Sequence, residues 1–182
     1  LDTLVSHDDA YLALLTGKRL ELSEAELQDL ATAALFHDSG IARLQDSVRM
    51  SAGGGNRLEQ DAYQSHVLYS VEMAKSSSIV SKPALAAILT HHEAFNGTGY
   101  PKKLSGEEIP LLGRILAVAD RYDYLVNPSA SPLGMTPAEA INAATLNGAY
   151  AMGLSSEYGS ITVGKKANFF LTTKIPSVGE RR

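Results

Sequence analysis

The stretch HHEAFNGTGYP, residues 91–101, decides how the rest of the chain is interpreted. It sets two histidines side by side, follows them with an acid and ends in a turn that contains two glycines. Adjacent imidazoles are costly to bury unless something binds them, and a metal ion is the simplest such partner. The stretch therefore predicts that His91 and His92 are metal ligands.

The chain contains five histidines, and all of them fall into one pattern with two aspartates. These candidate ligands stand near the end or on one face of predicted helices: His7, His37, Asp38, His66, His91, His92 and Asp120. Mixed nitrogen and oxygen ligands favour iron, manganese or a catalytic dinuclear centre, whereas structural zinc sites usually use thiolates. Because the chain has no cysteine, we expect two divalent metal ions, iron or manganese, rather than a thiolate site.

Composition limits the remaining possibilities. With 182 residues and 45% hydrophobic content, the chain can form one ordinary core and a tail. A net charge of −4 argues against binding to duplex nucleic acid, while a small anionic ligand held by metals stays open. No apolar run is long enough for a membrane segment, no leader opens the chain, and the lack of cysteine mildly favours a cytoplasmic setting. The start at Leu1 rather than methionine suggests either a fragment or only the ordered part of something longer.

Two predicted helices lead to the first aspartate of the pattern. Apolar residues recur at helical spacing from His7 to Leu20, and Ser23 with Glu26 forms a capping box for a second helix that runs to about His37. An ionised Asp38 buried at the end of so apolar a helix would cost several kcal/mol without compensation, and a cation provides it. The alternative is an ordinary helix C-cap followed by a solvated turn.

The later helices carry the remaining candidates. The glycines between Ser51 and Asn56 predict a loop, which could serve as a lid, and residues 58–75 predict one helix carrying His66. Alone, a histidine on such a helix is more often a satisfied core residue than a ligand. Pro83 suits the first turn of the helix that ends at the double histidine. Asp120 lies in the apolar helix 111–125, where coordination or a salt bridge to an arginine would explain it.

Five motifs in this order resemble the HD-GYP domain, a branch of the HD phosphohydrolases that hydrolyses cyclic di-GMP. They are HDSG at 37–40 with His66, HHE at 91–93, NGTGYP at 96–101, LSGEEIP at 104–110 and RILAVAD at 114–120. The resemblance covers roughly residues 1–126. It implies a mainly α fold, an HD-type helical bundle around a dinuclear or trinuclear centre that commonly holds iron or manganese.

The resemblance also implies individual roles. His37, Asp38, His66, His91, His92 and Asp120 carry over as ligands, with Asp38 as the bridge between metals. His7 matches an early ligand of some members, while the acidic ligand of trinuclear members would fall at Thr3, which argues against a third metal. Tyr100 would donate a hydrogen bond to a phosphate or to the leaving oxygen, and Gly97 and Gly99 would let the backbone approach the substrate.

Two positions and one stretch depart from the family pattern. Ile41 stands where members usually have a phosphate-binding lysine, and Asn96 stands where they have an aspartate. The stretch NPSASP, residues 127–132, lacks the usual cations. Losing charge-assisted contacts worth about 1.5 to 3 kcal/mol each should spare the metals and weaken substrate binding.

The tail resembles another family. Residues 135–154 and 159–171 are similar to the C-terminal end of amidohydrolases, most closely imidazolonepropionases. Physically they predict a helix capped by Thr136 with Pro137 at its first position, followed by a β-hairpin. None of the upstream metal-binding motifs of amidohydrolases is present in the sequence. We therefore expect an HD-GYP-like metal-binding domain at 1–132 and a C-terminal helix plus hairpin at 133–182.

These expectations support a metal-dependent phosphodiesterase acting on cyclic di-GMP or a related nucleotide phosphodiester, with Asp38 and Tyr100 as catalytic residues. An upstream sensory or signalling domain would be a natural partner. The main alternative is a degenerate module that binds metal and nucleotide as a signalling or scaffold domain without turnover, which Ile41 and the missing cations favour. A third hypothesis, that the chain is an amidohydrolase fragment, depends on the tail alone.

Overall fold

The computed structural model describes residues 7–51, 55–77 and 79–126, with the backbone alone at 7 and 8. Two 3₁₀ turns, Ser39–Arg43 and Gly106–Glu108, join the helices. The helices are α1 His7–Arg19, α2 Glu24–Phe36, α3 Asp46–Ser51, α4 Arg57–Gln64, α5 His66–Lys75, α6 Lys82–Thr90 and α7 Leu111–Val126. Within these ranges there is no strand, only one isolated bridge between Asn96 and Ser105. The mainly α prediction is confirmed here, while the expected C-terminal helix and hairpin and the glycine-rich lid at 52–54 lie outside the described residues.

The apolar core lies between α1, α2, α5, α6 and the first part of α7. Helix α2 packs on α1 and α6, and α5 packs on α6 and on the turn Ser39–Arg43. Leu30, Ile88 and Leu116 are fully buried where these helices meet. Burying such a side chain contributes about 1.5 to 3 kcal/mol, so packing holds the helix ends that carry the polar residues in place.

Local signals set the helix ends. The capping box predicted at Ser23 is present, because Glu26 N–H donates to the Ser23 hydroxyl and the Glu26 carboxylate accepts from Ser23 N–H. Ser81 caps α6, with Pro83 in its first turn as predicted. The single helix expected over 58–75 is wrong: the chain forms α4 and α5 with a break at Ser65. The Ser65 hydroxyl and N–H both bond back to the Ala62 carbonyl, which ends α4 and lets α5 start anew at His66.

Gly40 brings the turn Ser39–Arg43 into direct contact with α5. A Cβ at this position would lie 2.1 Å from the His66 carbonyl oxygen and 2.5 Å from the Ser70 nitrogen. The freed space lets Gly40 N–H donate to the Ser70 hydroxyl at 2.8 Å. The glycine of the HDSG motif thus sets the distance between Asp38 and the start of α5.

The chain divides into two compact units, Leu1–Asp120 and Arg121–Arg182. In the described part of the second unit, Leu125 and Val126 pack with Tyr122 and Tyr124. The boundary predicted at 132 stays a prediction. Among the described residues, no helix has both the length and the apolar character needed to cross a bilayer.

Candidate metal centre

One cluster of four side chains forms where α2, α5 and α6 end or begin. Asp38 follows α2, His66 is the first residue of α5, and His91 and His92 directly follow the last residue of α6. One potential ligand atom from each of these four residues lies within 4.8 Å of the others. Three imidazoles and a carboxylate therefore converge from separate elements.

A second cluster lies beside the first and contains Asp9, His37 and Asp120. Asp9 comes from α1 and is 3% exposed, and its Oδ2 lies 3.3 Å from His37 Nε2. Asp120 comes from α7, with its Oδ1 4.0 Å from the same nitrogen. This group contains two carboxylates and one imidazole, so it is richer in oxygen than the first.

Asp38 faces both clusters. Its Oδ1 lies 3.4 Å from His66 Nε2 and 3.6 Å from His91 Nε2, while its Oδ2 lies 3.6 Å from His37 Nε2. Ligand atoms that share a metal at about 2.1 Å are separated by roughly 3 to 3.5 Å, so these distances suit common coordination. A carboxylate with one oxygen toward each cluster has the geometry of a bridge between two ions.

The histidines present lone pairs to the centre. Nδ1 of His37, His66 and His91 bonds to the carbonyl three residues earlier, at 2.8, 2.7 and 2.7 Å. Since a carbonyl only accepts, each Nδ1 carries the proton and each Nε2 is left as an acceptor. These three Nε2 atoms, and Asp38 Oδ1, are buried without a hydrogen-bond partner in the structure. Buried acceptors aimed at one another are costly unless a cation lies between them, so the residues fit a metal.

The pKa shifts of Asp38 and His92 agree with a metal site, while that of His37 reflects its three carboxylate neighbours. Burial acts to lower the pKa of His37, but the charges of Asp38, Asp9 and Asp120 outweigh it and raise that pKa. Burial acts to raise the pKa of Asp38, yet His37 and the polar contacts of His66 and His91 hold it well below its usual value. Burial and the neighbouring imidazoles push the pKa of His92 well down. Ionised carboxylates and a neutral His92 are the protonation states that metal ligands need.

One side of the centre is open. The side chains of Asp38, His92 and Asp120 are 30%, 23% and 26% exposed, whereas those of His66 and His91 are fully buried. The buried imidazoles of His66 and His91 thus lie beneath a partly exposed rim formed by Asp38, His92 and Asp120. This rim leaves a route by which a ligand can reach the centre from solvent.

Tyr100 lies beside this rim. Its ring centroid is 4.8 Å from that of His92, and its N–H donates to the His92 carbonyl at 3.1 Å. Burial, followed by the charges of Tyr63, Asp38 and Asp120, raises the pKa of Tyr100, so its hydroxyl keeps its proton at neutral pH. Gly97 has a φ of +78°, and a Cβ on Gly99 would lie 2.2 Å from Ala94 N. Both glycines are therefore explained by the tight turn that returns Tyr100 to the histidines.

Some sequence expectations need amendment. Asp9 was missed, although it lies four residues before the buried Ala13 on the face of α1 that packs inward. The predicted ligand His7 begins α1, but its side chain lies outside the described ones. Asn96 Oδ1 accepts from the N–H and the hydroxyl of Thr98, so the substituted residue still supports the turn.

A family model described as an HD domain matches residues 4–150. The chain belongs to the HD domain family. This HD domain is 38% identical over 120 residues to the cyclic di-GMP phosphodiesterase response regulator RpfG of Xanthomonas campestris, which covers 65% of the chain and 32% of RpfG. Together, the family and the His/Asp clusters support divalent metal binding.

A solved structure shares the fold. The HDG"Y"P protein Bd1817 of Bdellovibrio bacteriovorus superposes with a TM-score of 0.62 at 20% identity, covering 75% of this chain and 43% of Bd1817. The HD-type helical fold expected from the motifs is thus confirmed. The HD domain spans about a third of RpfG and less than half of Bd1817.

The resemblance to imidazolonepropionases also has a counterpart among known proteins. Imidazolonepropionase of Flavobacterium johnsoniae is 58% identical over 55 residues, which are 30% of this chain and 13% of that enzyme. So short a share of an enzyme supports the sequence resemblance and carries no amidohydrolase activity to the HD domain.

Proposed function

We propose that this chain is a metal-dependent phosphodiesterase that hydrolyses cyclic di-GMP or a related cyclic dinucleotide. The single observation that carries the proposal is Asp38, whose two oxygens face different histidine groups at 3.4 to 3.6 Å. That arrangement supports a dinuclear centre, and relatives such as RpfG are named cyclic di-GMP phosphodiesterases.

The ligands we propose for two ions are His37, Asp38, His66, His91, His92 and Asp120, with Asp9 added and His7 retained as a prediction. Nitrogen and oxygen donors without sulfur suit iron or manganese. When bound, two such ions supply an activated water at neutral pH and neutralise the charge of a phosphodiester. A cytoplasmic location and an upstream sensory domain also remain predictions.

The residues of the chain have distinct tasks in this proposal. The imidazoles that bond to backbone carbonyls keep a fixed orientation, because their helices are locked by the core. Tyr100 donates a hydrogen bond to a phosphate oxygen or to the leaving sugar oxygen. Hydrolysis adds one water across a P–O bond: phosphorus gains the water oxygen, and the leaving oxygen gains a proton.

A second candidate function is nucleotide binding without turnover. Ile41 favours it, because this half-buried apolar side chain stands three residues after Asp38, where the family's phosphate-binding lysine is expected. Its N–H donates to the Asp38 carbonyl at 2.9 Å, so its backbone is tied directly to the centre. The lack of a cationic side chain at this position would leave the metals intact while weakening the binding of phosphate.

One experiment separates the two functions. The purified chain is loaded with Mn²⁺ or, anaerobically, with Fe²⁺, its metal content is measured, and it is incubated with cyclic di-GMP. Chromatography then resolves the linear dinucleotide, the mononucleotide and unreacted substrate, with chelator-treated protein as the control. Metal-dependent linear product supports the phosphodiesterase. Bound metal and bound nucleotide without product select the binding module, and no bound metal contradicts both.

Adding the missing charge should strengthen substrate binding. Ile41→Lys is expected to lower KM for cyclic di-GMP about tenfold, because a charge-assisted hydrogen bond to phosphate contributes about 1.5 to 3 kcal/mol. Ile41→Met is the matched control, since it is flexible and uncharged. Steady-state kinetics, or equilibrium binding if turnover is absent, at low and high salt measures the gain, which should shrink with salt. Equal KM values for the lysine and methionine variants would contradict a phosphate contact at this position.

A further inference from the structure

Glu93 is a buried carboxylate that belongs to neither metal-ligand cluster. It directly follows His92, is 5% exposed, and uses both oxygens on the backbone. Lys102 N–H donates to Oε1 at 2.6 Å and Leu104 N–H donates to Oε2 at 3.0 Å. A buried ionised group with two backbone donors forms strong, directional bonds, so Glu93 ties two separate parts of the chain together.

The tied segment is the one that carries Tyr100. The chain leaves His92, turns through Gly97 and Gly99, and passes back over Glu93, where a Cβ on Gly99 would lie 2.5 Å from Glu93 Cα. Tyr100 N–H bonds to the His92 carbonyl on one side of the tyrosine. The Glu93 carboxylate holds Lys102 and Leu104 on the other side. Tyr100 is therefore fixed from both directions.

We propose that Glu93 is a positioning residue that sets the place of the Tyr100 hydroxyl over the metal centre without binding metal itself. The inference rests on the proposed function for its catalytic consequence, while its structural part stands independently. A glutamine at 93 keeps one carbonyl acceptor but turns an NH₂ donor toward a backbone donor, so one of the two ties is lost. The turn would become more mobile beside Tyr100, and the Tyr100 hydroxyl would lose its fixed position.

The test compares Glu93→Gln with Glu108→Gln in metal-loaded protein. Glu108 is a matched control because its carboxylate also accepts from a backbone N–H, that of Ser105 at 3.0 Å, but it is exposed. Three readouts are taken: metal content, hydrogen exchange by mass spectrometry in peptides covering 99–106, and kcat with KM for cyclic di-GMP. Glu93→Asp, one methylene shorter but still charged, is the second variant if the glutamine variant folds poorly.

We expect Glu93→Gln to keep the wild-type metal content. Hydrogen exchange should become faster in residues 99–106 and stay unchanged in α6 and α7. The kcat should fall about tenfold with little change in KM. Glu93→Asp should fall between it and the wild type, and Glu108→Gln should keep wild-type kcat. Combining Glu93→Gln with Tyr100→Phe should cost less than the product of the two single effects, because both act through one hydroxyl.

Other outcomes overturn the inference. Loss of metal from Glu93→Gln would mean that Glu93 supports the ligands rather than the tyrosine. Exchange in 99–106 equal to that of the wild type would mean that the turn does not depend on it. If the wild type binds metal but hydrolyses nothing, faster exchange in the variant still supports the positioning role, and the proposed phosphodiesterase fails separately.

Discussion

Asp38→Ala is expected to lower the bound metal from about two ions per chain to fewer than about one, because a single carboxylate serves both clusters. Asp38 Oδ1 lies 3.4 and 3.6 Å from His66 and His91, and its Oδ2 lies 3.6 Å from His37. Asp120 also has one oxygen toward each cluster, but at the longer distances of 4.0 Å to His37 and 3.9 Å to His92. Metal analysis of the purified variant, prepared beside the wild type, measures the change.

The thermal stability of the chain should depend on its bound metal. A ligand present at 100 times its Kd stabilises the folded chain by about 2.7 kcal/mol, so chelation should lower the wild-type Tm by roughly 10 °C. In Asp38→Ala the chelator should have little further effect, because little metal remains to be removed. Differential scanning calorimetry with and without chelator gives both numbers.

The control is another aspartate of the same unit. Asp61 on α4 has a side chain that is 61% exposed and lies 3.9 Å from Arg57, so Asp61→Ala should keep both the metal content and the chelator response. Wild-type metal content in Asp38→Ala would contradict the bridge and, with it, the dinuclear centre on which hydrolysis depends.

Much of the centre could be read from the sequence because chemistry and periodicity agreed there. His37 and Asp38 lie where the apolar helix α2 ends, and His91 and His92 lie where the apolar helix α6 ends, so polar residues appear at buried helix ends. Each such position can be explained by a ligand or by an ordinary helix cap, and it was the ordered set of motifs that favoured ligands. The same argument applied to Asp120, which interrupts the apolar residues of α7.

Asp9 could not be found by the same argument. An acidic residue in the first turn of a helix is ordinary, because it complements the helix dipole, and Asp8 beside it looks identical. The distinguishing signal was the inward face of α1, where Asp9, Ala13 and Gly17 recur every four residues and are all buried.

The break between α4 and α5 was not predicted for another reason. Ser65 ends α4 through a hydrogen bond from its own hydroxyl to the Ala62 carbonyl, and the apolar spacing of a helix does not reveal such a local bond.

Tyr100→Phe is expected to keep the metal content and lower kcat for cyclic di-GMP about 100-fold, with KM nearly unchanged. The ring stays beside His92, so the packing at 4.8 Å and the turn are preserved, and only the hydroxyl is lost. Burial raises the pKa of Tyr100, which keeps that hydroxyl protonated as a donor near the centre. Removing one donor that serves the charge of a transition state typically costs about 100- to 1,000-fold in kcat.

Tyr11→Phe is the control for the loss of a hydroxyl, since Tyr11 lies on α1 with 61% exposure, and it should behave as wild type. Metal analysis, kcat and KM are measured for both variants in parallel. Because phenylalanine fills the same space, a fall in metal content would assign Tyr100 to holding the ligands in place instead of to the reaction. A kcat equal to that of the wild type would remove the tyrosine from the mechanism, since its hydroxyl is the one group that this substitution deletes.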